Sequence, residues 1–276
     1  NCMTGIIQMS EVDYDTIYQY DELGMNNTII TNAEKLVGAN VFQKDSNNLE
    51  WLNEISFYPI EGCTYKVYVN AQDGELNKQK LVEVAEIGEI TGQYYTTVTL
   101  EEPILLTGSE FVVAMQYVTD ETPTFPVECV YGYSTTDYYA TAKSNPGESF
   151  ICVEPSFENW VDLSEIVIPE MREINLCLKA FTTQAEETDI YVTSQKYQVS
   201  QADKNITQIS PNTTLADFEE NILTNTNFEI YDKDNNLLTQ TTDRIGTSAS
   251  LRIPATGDVY QLVVTGDLNG DGRVTG

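Results

Sequence analysis

Between residues 39 and 182 the chain is written as short apolar runs broken by Gly, Pro, Asn and Asp, with no sustained helical periodicity. That pattern admits few folds. Runs at 39–42, 54–58, 65–69, 94–100, 111–118, 149–153 and 173–181 read as strands. Tyr65, Val67 and Val69 fall on one face while Lys66, Tyr68 and Asn70 fall on the other, the period of two that a half-buried strand requires. Tyr94, Thr96, Val98 and Leu100 repeat that alternation. Residues 112–118 are apolar on both faces, as a strand covered on both sides must be. A single helical turn at 32–36 is the one exception expected here. Many short strands between turns predict an all-β fold, with a jelly-roll-like β-sandwich over residues 1–183.

The polar, acidic stretch 184–189 has no apolar periodicity and reads as a linker. A smaller β-rich module is expected over 190–265. Strands are expected at 190–193, 197–200, 251–253 and 259–264, and a hairpin pairs 228–231 with 237–240 around the turn 232–236. Leu215, Phe218 and Ile222 share one helical face, and Thr214 with Asp217 forms a capping-box pattern, so one short helix is expected to pack on this sheet. Residues 266–276 stand apart as a metal-loop pattern.

Three features restrict function. Asp and Glu number 43 against 14 Lys and Arg, a net charge of −29. Such a surface repels phosphate backbones and anionic membranes, which excludes nucleic-acid binding. Solubility outside a cell or calcium binding accounts for the acids better. The chain holds no histidine. Serine triads, Cys–His pairs and most zinc hydrolase sites are thereby excluded within it. A two-carboxylate glycosidase survives that test, but no acid pair is singled out by its surroundings. The five cysteines, Cys2, Cys63, Cys129, Cys152 and Cys177, form no C-x-x-C pair. They read as buried thiols, with one or two disulfides as the alternative. The chain opens at Asn1 with no initiator Met and no apolar leader, which reads as the loss of the front of a longer protein. No run approaches the roughly 18 apolar residues of a membrane helix.

The sharpest motif is Gly266-Asp267-Leu268-Asn269-Gly270-Asp271-Gly272-Arg273-Val274. It matches the first half of an EF-hand-type loop, with Asp267, Asn269 and Asp271 at the side-chain ligand positions and the Arg273 carbonyl at the seventh. Calcium is the cofactor that such a loop would hold, although the acid at position twelve falls beyond residue 276. A plain surface turn explains the same residues. Asp13, Asp15 and Asp21 are a second, irregular set of candidate calcium ligands, or else a solvated acidic segment.

Aromatic residues beside carboxylates suit sugars, whose rings have an apolar face and a hydroxyl rim. Tyr131, Tyr133, Tyr138 and Tyr139 cluster in one expected loop, and Trp51 and Trp160 lie in loop-like contexts beside Glu50 and Asp162. These six are the candidate glycan contacts, against the alternative that they cap the core.

The run beginning at Gly266 resembles the opening of a type I dockerin, a calcium-loaded helical pair that binds cohesin. Residues 209–218 and Ile245-Gly246-Thr247 resemble small modules that precede dockerins in clostridial proteins. Tyr14 to Asp21, Ala39 to Phe42, Ile55 to Tyr58, Tyr65 to Val69, Gly147 to Ile151 and Asn175 to Phe181 come in an order similar to the lectin-like domain of clostridial papain-like surface peptidases. The resemblance implies a non-catalytic, carbohydrate-binding or adhesive module of a secreted, surface-attached protein. It also implies an upstream protease domain and a cohesin as partners of the intact parent. The competing reading is a structural spacer packed on that protease.

Overall fold

The computed structural model describes residues 14–30, 35–44, 49–91, 95–120, 122–131, 142–153, 157–186, 190–194, 196–201 and 203–274. The chain separates into two units, Asn1–Ala185 and Glu186–Gly276.

The first unit contains β1 (Thr16–Tyr18), β2 (Asn27–Ile30), β3 (Leu36–Gln43), β4 (Glu50–Phe57), β5 (Thr64–Asn70), β6 (Val82–Ile87) and β7 (Thr96–Leu106). It continues with β8 (Glu110–Val118), β9 (Thr124–Tyr131), β10 (Ser149–Cys152), β11 (Trp160–Asp162), β12 (Met171–Leu176) and β13 (Leu178–Gln184). These strands build antiparallel sheets in the orders β11-β10-β3-β8-β5-β6, β1-β13-β4-β7 and β12-β9-β2. The all-β reading holds. The apolar run 173–181 is two strands, because at Cys177 the chain passes from the three-stranded to the four-stranded sheet, with the Cys177 amide donating to the Pro126 carbonyl at 3.2 Å. Leu36, expected in a helical turn, opens β3; residues 31–34 lie outside the described residues.

Period-two alternation places Leu36 and Phe42 of β3, and Phe111, Val113, Met115 and Tyr117 of β8, in the main core with Leu52, Ile55 and Phe57 of β4 and Leu178 and Ala180 of β13. A sandwich results. The interleaved residues Val37, Ala39, Val41, Val112 and Ala114 are buried on the opposite face of the six-stranded sheet, in a second apolar group. That explains why β8 reads as apolar on both sides.

A few polar groups pin the sandwich. Asn40 is fully buried; its amide donates to the Leu178 carbonyl at 2.8 Å, and its oxygen accepts from the Ser149 hydroxyl at 2.7 Å. Asp21 is also fully buried, and Lys179 Nζ lies 2.9 Å from its carboxylate while donating to Gln19 Oε1 at 2.7 Å and to the Asp21 carbonyl at 2.8 Å. Burial raises the Asp21 carboxyl above its ordinary range, and Lys179 offsets part of that rise. Cys63, Cys129, Cys152 and Cys177 are buried and form no disulfide, and burial pushes the Cys177 thiol far up, so it behaves as an inert hydrophobe.

The second unit contains β14 (Val192–Ser194), β15 (Gln198–Ser200), β16 (Asn205–Ile209), α1 (Leu215–Glu220), β17 (Ile222–Thr224), β18 (Glu229–Tyr231), β19 (Ser250–Ile253) and β20 (Asp258–Val264). Its larger sheet has the order β15-β16-β20-β19-β18, with β16 and β20 parallel. The Thr214–Asp217 capping box forms, but the helix ends at Glu220. Ile222 therefore opens β17 instead of completing a helical face, and still reaches the core beside Phe218. The expected strand at 237–240 reduces to one bridge between Tyr231 and Leu237. Asp232 explains this locally: its carboxylate accepts the amides of Asp234 and Asn236 at 2.9 and 2.7 Å, closing a tight turn.

Candidate functional site

The outer face of the six-stranded sheet carries an aromatic trough that is filled, since Ala39 and Ala114 at its base are fully buried in one cluster with Phe157 and Leu81. Register sets Tyr68 of β5 opposite Ala114 of β8, Ala114 opposite Ala39 of β3, and Ala39 opposite Phe150 of β10. Two alanines thus lie between two rings whose backbones stand roughly 14 Å apart, three strand spacings. In the neighbouring row Lys66 faces Gln116, Gln116 faces Val37, Val37 faces Cys152 and Cys152 faces Trp160. Tyr68, Phe150 and Trp160 are each half-buried.

Phe157 packs into this group. Its ring centroid lies 4.9 Å from that of Tyr68, edge to face, and 6.0 Å from that of Trp160. The Trp160 Nε1–H donates to the Phe157 carbonyl at 3.0 Å. Phe157 holds φ at 59°, a left-handed backbone that a bulky side chain adopts at a cost of about 1–3 kcal/mol. Ring burial and the indole hydrogen bond hold it there.

Polar groups sit at the same rows. The Tyr68 hydroxyl donates to Gln116 Oε1 at 3.3 Å, and burial, reinforced by the nearby Glu83 carboxylate, raises its pKa so that it stays a donor. Lys66 pairs with Glu83 at 3.0 Å and Glu86 at 3.8 Å along the rim. Apolar ring faces beside an amide, a phenol and charged rim groups are the chemistry that recognises a pyranose.

Of the six aromatic candidates, Trp160 joins this trough. It lies in β11 and Trp51 in β4, so both occupy strands and not the loops their contexts suggested. Trp51 belongs to the four-stranded sheet, away from the trough's sheet. Tyr131 closes β9, whereas Tyr133, Tyr138 and Tyr139 lie outside the described residues. Tyr68, Phe150, Phe157 and Gln116 were missed; the signal available for Tyr68 was its place on the Lys66–Tyr68–Asn70 face.

The candidate calcium ligands of the first unit are engaged with protein groups where they are described. Asp13 lies outside the described residues. Asp15 accepts the Gln184 amide at 2.6 Å, and Asp21 faces the Lys179 ammonium. In the C-terminal loop, Asp267 is buried and its two oxygens take four amides, those of Gly270 (2.8 Å), Asp271 (3.2 Å), Thr247 (2.9 Å) and Gly272 (2.9 Å). Four donors saturate a carboxylate's lone pairs. Asp271 Oδ1 accepts the Arg273 amide at 2.9 Å and Oδ2 the Asn269 side-chain amide at 3.1 Å, while Lys233 Nζ reaches the Asn269 carbonyl at 2.6 Å. These residues do not fit calcium as they stand: the oxygens are turned to protein donors, and a cation already lies beside the loop. Among the described residues no three acids, cysteines or histidines form a metal cage.

A family model described as the lectin-like domain matches residues 17–182. Among solved structures, the chain is similar to the cysteine protease and lectin-like domains of Cwp84, a surface layer associated protein of Clostridium difficile, at 23 % identity and a TM-score of 0.50. The match covers 62 % of this chain and 36 % of that one. A variant of the clostridial cysteine protease Cwp84 after propeptide cleavage matches at 22 % identity and a TM-score of 0.49, over 62 % of this chain and 40 % of that one. The chain therefore spans well under two thirds of either, and the likeness is one of fold. No curated protein matches.

Proposed function

The chain belongs to the lectin-like domain family, and from that premise we propose that its first unit is a non-catalytic carbohydrate-binding or adhesion module of a secreted multidomain protein. The observation that carries this reading is the aromatic cluster on the six-stranded sheet, where the half-buried rings of Tyr68, Phe150 and Trp160 surround the buried Ala39 and Ala114 with Gln116 alongside. A sugar ring stacking on Trp160 and Phe150 would bury its apolar face and leave hydroxyls for the amide and the phenol. Catalysis has no assigned part in this reading, since the chain lacks any histidine.

The parent is proposed to be a papain-like cysteine peptidase, exported or surface-attached, in keeping with the surface-layer association of Cwp84. Among the described residues no helix is long and apolar enough to cross a membrane. The run from Gly266 is proposed as the opening of a dockerin, with calcium loading and cohesin binding belonging to the completed motif in that parent. A glycan array, followed by titration of hits against intrinsic fluorescence, tests the sugar reading. Trp160→Ala should abolish the response and Trp51→Ala should leave it. Absence of any hit, or an equal response from Trp160→Ala, would remove it.

A second reading, a spacer packed on a protease domain, is favoured by one observation. Ile17, Leu23, Met25 and Ile30 are 51, 51, 38 and 66 % exposed within a single short segment, which is more apolar surface than a solvated edge needs. Co-purification of the chain with the parent's protease domain, lost on Ile17→Asp and Ile30→Asp, would favour the spacer.

A further inference from the structure

The trough on the six-stranded sheet already has an occupant. Tyr68 in β5 and Trp160 in β11 border it from opposite sides, with β10, β3 and β8 between them in the order β11-β10-β3-β8-β5. The Phe157 ring reaches both, its centroid 4.9 Å from that of Tyr68 and 6.0 Å from that of Trp160. It therefore lies between the two, in the cluster that buries Ala39 and Ala114 completely. A phenyl group and a pyranose are both six-membered rings with apolar faces, and either can pack against aromatic side chains.

Phe157 is held by opposing forces. Ring burial and the bond from Trp160 Nε1–H to its carbonyl, at 3.0 Å, keep it in place. Its backbone pulls the other way, because φ at 59° is costly for a bulky residue. Among the described members of this apolar cluster Phe157 alone holds a left-handed backbone. It is the one member whose departure releases strain. Polar partners for an incoming ring stand beside it: the Tyr68 hydroxyl and Gln116 Oε1 share a long bond of 3.3 Å, which a ligand hydroxyl could replace at little loss.

We infer that Phe157 is a resident plug in a slot for a single, terminal sugar ring, and that the ligand ring takes its place against Tyr68 and Trp160. The sugar rests on the carbohydrate-binding reading above; the plug rests on the packing alone. A slot that one phenyl group fills takes one ring, so the recognised unit is the end of a glycan and not a run of sugars along it. The unplugged state is the minor population, and the apparent affinity is lowered by its fraction.

The test replaces Phe157 with Gly, which removes the ring and adopts a positive φ without strain. Phenol and the methyl glycosides of glucose, galactose, mannose and N-acetylglucosamine are titrated by calorimetry into the unaltered chain and into Phe157→Gly. Phenol should bind the variant saturably and the unaltered chain at least about tenfold more weakly, because there the slot is still filled. At least one glycoside should bind the variant about tenfold more tightly than the unaltered chain, and within about threefold of a longer glycan ending in the same sugar. Phenol failing to bind Phe157→Gly, phenol binding both chains equally, or a glycoside binding the variant no better would each overturn the plug. A longer glycan binding far more tightly than its terminal sugar would overturn the single-ring slot. Urea unfolding read by tryptophan fluorescence checks the variant; one that does not fold also overturns the proposal, since Phe157 would then be a fixed part of the core. Phenol bound by the variant, with no glycoside bound by either chain, removes the sugar as occupant and with it the carbohydrate reading, while leaving the plug in place.

Discussion

Replacing Lys179 with Met keeps an apolar stem of similar length while deleting the ammonium that faces Asp21. Asp21 is fully buried, so its carboxylate would be left in the core with no cation 2.9 Å away, and the Gln19 side chain and Asp21 carbonyl would lose their donor as well. Removing one partner of a buried pair costs about 3–5 kcal/mol, because the remaining charge has neither water nor a counter-ion. With a urea dependence of about 2 kcal/mol per molar for a unit of this size, the midpoint should fall by roughly 1.5–2.5 M. Intrinsic tryptophan fluorescence is the assay, since Trp51 and Trp160 are the only two tryptophans and both lie in the first unit.

The pH dependence supplies the sharper check. Burial raises the folded-state pKa of Asp21 above its value in the unfolded chain, and Lys179 works against that rise. A raised carboxyl favours folding most when protonated, below the unfolded value of about 3.9, and the benefit disappears as pH climbs through the folded pKa. Without Lys179 the folded pKa rises further, so the penalty of Lys179→Met should be larger at pH 7.5 than at pH 5. Adding Asp21→Asn should recover more than half of the loss by removing the stranded charge. A loss under about 1 kcal/mol at pH 7.5, or one equal at both pH values, would refute the account of this pair.

Three further outcomes follow from the same geometry. Asp267→Ala should lower the calorimetric melting temperature of the second unit; burial works to raise the Asp267 carboxyl, but the amides of Thr247, Gly272, Gly270 and Asp271 outweigh it and hold the pKa low. A depressed carboxyl contributes above its unfolded pKa and loses that contribution as pH falls, so the wild-type unit should soften in acid and the variant should not. Gly38→Ala should destabilise the first unit by about 1–3 kcal/mol in the urea assay, because the new methyl would lie 2.5 Å from the Phe125 ring and 2.9 Å from Leu176. Calcium titrated into the chain should give no saturable heat below about 1 mM, since the Asp267 oxygens are taken by amides and Lys233 lies against the loop; micromolar binding would show that these donors yield to the cation.

What could be read in advance was whatever two or three neighbouring residues decide among themselves. The alternation of β5, the double-sided burial of β8 and the Thr214–Asp217 cap are all local, and all are present. The strand expected at 94–100 continues to Leu106 as β7 although Glu101, Glu102 and Pro103 break its alternation, because β7 is a sheet edge with a register shift opposite β4. Edge position and a bulge are where a proline and exposed acids are tolerated. Strand β9 carries Pro126 although it lies between two partner strands, a central position where a proline argues against a strand.

The trough was illegible for a different cause. Tyr68, Phe150 and Trp160 come from the fifth, tenth and eleventh strands, and only the order β11-β10-β3-β8-β5 puts them around Ala39 and Ala114. Nothing in a sequence marks an alanine as a floor until the rings that flank it are known. The aromatic cluster at 131–139 drew notice because its members are adjacent in sequence, which is a weak guide in a fold whose neighbours are set by register. Phe157 makes the same point through energy. Its left-handed backbone has no sequence signature, and it persists because the ring lies against Tyr68 while Trp160 holds its carbonyl. A glycan entering the trough would have to displace that ring, a motion that releases the strain while giving up the burial. The balance of those two terms, and not the affinity of the bare trough, would set how readily the face accepts a sugar.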